Sequence, residues 1–185
     1  MTLLSALWLP ILISAVAVFV LSSIIHMTPL WHKTDYPRYA NEDRVLDALR
    51  PLSLPPGDYF MPRPASSAEM RSPEFQEKMK RGSVLMTVMP PWSGSMAGNL
   101  SQWFAYCLVV SVLAAYVAGA ALPPGAPAIQ ICRFAGTTAF IGYTLALWQM
   151  SIWYRRAWSM TLKSTLDGVI YAAATCLVLA WLWPR

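Results

Sequence analysis

Charge is what this chain has least of. Asp, Glu, Lys and Arg make up 12% of its 185 residues, about half the roughly 25% of an ordinary soluble domain. With 56% apolar residues, much of the surface has to face lipid. The basic residues are dispersed among acids or sit beside apolar runs, so nothing tracks a phosphate backbone and nucleic acid is not an expected partner. Cysteine is sparse too. Cys107, Cys132 and Cys176 form no CxxC pair and lie in or beside apolar runs, which leaves neither a disulfide framework nor a zinc site to read.

Histidine occurs twice, as His26 and His32. Their spacing is not the i, i+4 pattern that puts two metal ligands on one helix face. They read as interfacial polar residues and no metal site is assigned, while a pigment or metal held jointly with other ligands stays open. Nucleophile motifs are missing as well. Ser93-Gly94-Ser95 is not G-x-S-x-G and has no histidine near it, so an enzyme is the less favoured reading.

What the chain does have is four long apolar runs. The first covers Leu3 to Ile25 within residues 1–27, with Pro10 as a kink point. It lacks the basic start and small-x-small cleavage site of a signal peptide, so a retained first helix is expected. The others span about 100–122, 131–153 and 165–183, each near the length needed to cross a hydrocarbon core of about 30 Å. The expected fold is an all-α membrane protein, four transmembrane helices with a small α+β soluble connector over 28–99. The connector is too charged for lipid, with nine Lys or Arg and eight Asp or Glu between Met27 and Asn99.

Within the connector, Asn41 is an N-cap for a helix through Glu42 to Arg50, and Ser72-Pro73-Glu74 opens another that closes near Gly82. Ser83 to Met89 is β-rich and is expected to pair with the Tyr59 region as a two-stranded sheet. Arg155, Arg156 and Lys163 face an uncharged Leu122–Pro127 turn across the membrane, which puts the connector on the cytoplasmic side and both termini outside.

Asp167 is the one carboxylate inside an apolar run. It follows Lys163 by one helical turn, so the two can meet. As a functional pair they would serve a transporter or membrane enzyme; as a structural pair, Asp167 sits in the first turn of its helix with Lys163 as counter-charge. Tyr171, a turn further on, and Arg133, one turn into the third run, complete the candidate polar site. Arg133 and Asp167 lie at opposite faces and are not expected to pair. Small residues recur at one-turn spacing: Ala115 and Gly119, Ala135 and Ala139, Gly142 and Ala146, Gly168 and Ala172. They allow close helix packing within the chain or against a partner.

The run His32-Lys33-Thr34-Asp35-Tyr36, the turn Pro56-Gly57-Asp58-Tyr59 and the closing pattern Lys163, Asp167-Gly168, Tyr171 and Trp183-Pro184 resemble a family of small bacterial membrane proteins. The resemblance implies one span, a soluble connector and three further spans in a bacterial inner membrane, and it brings no activity with it. On this reading the favoured function is a non-catalytic accessory or scaffold subunit, partnered by other membrane proteins or by itself as well as by the bilayer. The alternative is a transporter or enzyme using Asp167 with Lys163. Binding of a lipid or quinone ranks third, and no cofactor is called for by a motif.

Overall fold

The computed structural model describes residues 3–28 and 31–185, with side chains from residue 5 onward. In chain order the helices and strands are α1 (Leu3–Ala6), α2 (Trp8–Met27), α3 (Glu42–Leu49), β1 (Gly57–Met61), α4 (Ser67–Met70), α5 (Pro73–Lys80), β2 (Val84–Val88), α6 (Ala97–Ala121), α7 (Ala128–Ile131), α8 (Thr137–Thr144), α9 (Trp148–Ile152) and α10 (Trp158–Trp181). The chain divides into two compact units, one of residues 38–95 and one of everything before and after. Residues 31–37 and 96–99, assigned to the connector by their composition, belong with the apolar helices.

In the larger unit α2, α6 and α10 are long and apolar enough to cross a membrane. The break between α1 and α2 falls at Leu7, just after Ala6, the residue whose carbonyl would clash with the ring of Pro10 in a continuous helix. Pro10 therefore lies in the first turn of α2 rather than at a kink within it. Residues 128–152 are helical in succession but not uniform: α7 gives way to a π-helical turn at Cys132–Gly136, and a 3-10 turn at Leu145–Leu147 separates α8 from α9. The Tyr106 hydroxyl of the neighbouring α6 donates to the Gly142 carbonyl beside this tightening.

α10 begins at Trp158, two turns before the expected start near residue 165. Hydropathy misplaces this end because the first half of the helix is rich in Ser, Thr and Lys. Ser164 and Thr165 instead return their hydroxyls to the carbonyls of Met160 and Thr161, and the Thr161 hydroxyl pairs with Ser151. Their polarity is satisfied within the fold.

Helix α2 packs on α6 and α10, and α8 packs on the same two helices. The buried stripe of α6 runs through Cys107, Val110, Ser111, Ala114, Ala115 and Ala118, one helical face by its three- and four-residue steps. Of the glycines described, Gly168 has the least room, since an added Cβ there would overlap the Thr144 hydroxyl. At Gly142 and Gly136 the same atom would stand 3.2 Å from the Val110 methyls and 3.3 Å from the Cys176 Cβ. Ala115, Ala135, Ala139 and Ala172 are likewise buried. Gly119 is half-buried and Ala146 is exposed, so Ala146 does not pack within the chain as the other small residues do.

In the smaller unit β1 and β2 pair antiparallel with Tyr59 opposite Met86, and the Thr87 hydroxyl donates to Asp58 across the ladder. Ser72 caps α5 through the Phe75 N–H. Ser66 caps α4 through Glu69, whose carboxylate accepts from the Ala65 N–H in return. Asn41 occupies the N-cap position of α3 but makes no side-chain cap bond, since its own backbone is not extended there.

Candidate functional site

The site is built where the chain leaves α2 and folds back onto α10. The short 3-10 turn His32–Thr34 aims Trp31, His32, Thr34 and Asp35 at two side chains one turn apart on α10, Lys163 and Asp167. Trp31 Nε1–H donates to Asp167 Oδ1 at 2.9 Å, and His32 Nε2 meets Asp167 Oδ2 at 2.8 Å. The other ring nitrogen of His32, Nδ1, meets Asp35 Oδ2 at 2.7 Å. Lys163 Nζ donates to Asp35 Oδ1 at 2.6 Å and to the Thr34 hydroxyl at 2.8 Å. An ionised carboxylate accepts and cannot donate, so with both acids ionised the His32 ring donates from both nitrogens. Two anions and two cations then close a network of no net charge.

Closure matters because the network is shielded. Asp167 is 3% exposed, and a buried charge is tolerated when its oxygens are all paired. Burial pushes the Asp35 carboxyl up, but the hydrogen bonds from His32 and Lys163 and their charges outweigh it and hold Asp35 below the usual carboxylate value.

These contacts correct two expectations. Asp167 is the tenth residue of α10, not a first-turn anchor. Lys163 does not pair with Asp167; it pairs with Asp35, because Trp31 and His32 already take one bond to each Asp167 oxygen. Arg133 is exposed in the π-helical turn, without an ion pair to Asp167. Trp31, His32, Thr34 and Asp35 were not among the site residues read from the sequence.

Below the network lies a cavity of about 610 Å³ between α2, α6, α8 and α10. Trp103, Tyr106, Tyr143 and Tyr171 form its aromatic walls, with Tyr143 and Tyr171 edge to face at 5.4 Å between ring centres. His26, Ser22 and Asp167 make its polar end, and Ala146 stands on its rim. The Tyr171 hydroxyl is buried and has no hydrogen-bond partner among the described residues. No family model, curated protein or solved structure matches the chain.

His26 and His32, distant in helical register, stack face to face with ring centres 4.5 Å apart. The sequence contains a signal for part of this, the His32 and Asp35 pair at one-turn spacing beside the exit of a span. Their partners on α10 lie more than a hundred residues away, and no local pattern encodes that distance.

Proposed function

We propose that this protein is a membrane-embedded binding protein for an amphipathic molecule, with an oxygen-bearing head group at the Asp167 end of the cavity and an apolar tail among the aromatic walls. The cavity carries the reading. Its volume falls inside the range of roughly 300–1,000 Å³ typical of small-molecule sites, and it joins mostly apolar walls to a few convergent polar groups as such sites do. Quinones and lipids share this chemistry. The small-residue faces that motivate a scaffold role support this reading indirectly: Gly142 and Gly168 are met by Val110 and Thr144 of the same chain.

The test is titration of the purified protein with a short-chain quinone, and separately with a brominated phospholipid, followed by tryptophan fluorescence. Saturable quenching at one equivalent, reduced in Trp103→Phe and lost in Ala146→Phe, is expected for whichever source is the ligand. Linear, non-saturating quenching by both would contradict it.

The same proposal includes the arrangement in the bilayer. Residues 128–152 form the remaining span, the connector and the turn after Ile152 lie on the cytoplasmic face, and both termini lie outside. The Asp35 to Lys163 bond supports placing the start of the connector and the start of α10 at one face. Arg155 and Arg156 against the uncharged 122–127 turn set the sign. In a background with Cys107, Cys132 and Cys176 replaced, an impermeant maleimide should label Arg156→Cys from the cytoplasmic side and Pro124→Cys from the other. Labelling of both from one side would refute the fourth span.

A further inference from the structure

At the polar end of the cavity, which His26 and Asp167 line, ligating groups gather that binding an amphiphile does not require. His26, His32 and Asp167 each offer one ligand atom, and the three atoms lie within 4.8 Å of one another. Both rings have their outer nitrogen already fixed. His26 Nδ1 is 2.9 Å from the Ser22 carbonyl; that oxygen accepts only, so Nδ1 carries the hydrogen and Nε2 of the neutral ring keeps its lone pair. His32 Nδ1 is held by Asp35, which Lys163 holds in turn. Metal-binding histidines have this support, a carbonyl or carboxylate on the far nitrogen that sets tautomer and orientation.

The geometry points to a binding site for a divalent first-row metal ion formed by His26, His32 and Asp167, with its remaining coordination positions open to the cavity. Two imidazoles and one carboxylate are the donor set of open zinc sites and of non-haem ferrous sites. The ion replaces the proton that His32 Nε2 shares with Asp167: the N–H bond breaks, the nitrogen lone pair and a carboxylate lone pair go to the metal, and the proton leaves to water. The stacked rings, 14° from parallel, cannot both aim at one ion as they stand. His26 is exposed at the last turn of α2, and it is the ring that turns to bind, its Ser22 bond setting the tautomer and not the final orientation. The site goes beyond the amphiphile reading and does not depend on it.

The test uses the full chain, carrying no histidine tag, delipidated in detergent and stripped with a chelator. Zinc is titrated by calorimetry, cobalt by visible absorption and ferrous iron under anaerobic conditions; the arms separate zinc from iron as the preferred ion. One equivalent should bind. His26→Phe keeps a stacking ring without a ligand and should weaken binding at least about tenfold, and Asp35→Asn, which alters the support of His32 and the bond from Lys163 but removes no ligand, about 10- to 100-fold. Absence of stoichiometric binding, or wild-type affinity in His26→Phe, overturns the site. Should that variant not fold, X-ray absorption of the zinc-loaded wild type decides: two imidazole nitrogens support the site and one or none overturns it. No amphiphile is present, so failure here is separate from failure of the cavity reading.

Discussion

Asp167 accepts from two donors that come from the same short turn, and this makes its energetics testable by single atoms. Trp31→Phe keeps a smaller aromatic ring and removes the indole N–H that reaches Asp167. A hydrogen bond to a charged group contributes about 1.5–3 kcal/mol, and unfolding in detergent should show a loss of that size. Asp167→Asn should cost more, about 3–5 kcal/mol, because it leaves His32 facing an amide instead of an anion. Near-wild-type stability in both would mean the network is not shielded as described. At this scale the sequence disclosed Asp167 and Lys163 but not their partners. The lone carboxylate is visible as an exception to hydropathy, whereas which donor saturates it depends on the return of residues 31–35 from α2, a tertiary event with no local signature.

Between elements, the most crowded glycine is Gly168 of α10, set against Thr144 of α8. Gly168→Ala should lower stability by about 1–3 kcal/mol through overpacking. Adding Thr144→Ala, which removes the hydroxyl that the new methyl would strike, should recover much of the loss; additive losses instead would show that the helices do not meet there. Elements with apolar length or paired end signals were legible: α2, α6, α5 with its Ser72 cap, and the sheet of β1 with β2. The start of α10 was hidden by hydroxyls bonded back to their own helix. The π and 3-10 turns within residues 128–152 were hidden because nothing in the order of side chains along the run distinguishes one helical hydrogen-bond pattern from another.

For the whole molecule, the proposed account joins a charge-neutral cap, an aromatic cavity and open metal-ligating groups into one end of a helical membrane unit. Asp167 belongs to all three, as acceptor for Trp31 and His32, as part of the cavity lining and as a ligand atom. Composition pointed towards a membrane, because 12% charge leaves little polar surface for water, and three helices are long and apolar enough to cross one. The cavity was not legible, since its walls come from four helices and from residues that each look like ordinary span or interface side chains. The most direct measurement is of what the protein carries out of its own membrane: mass spectrometry of organic extracts from the wild-type chain and from Ala146→Phe, purified side by side in mild detergent. The account predicts about one equivalent of a single amphiphile with the wild type and its loss from Ala146→Phe. An empty wild type, or the same mixture of bulk lipids with both, would contradict it.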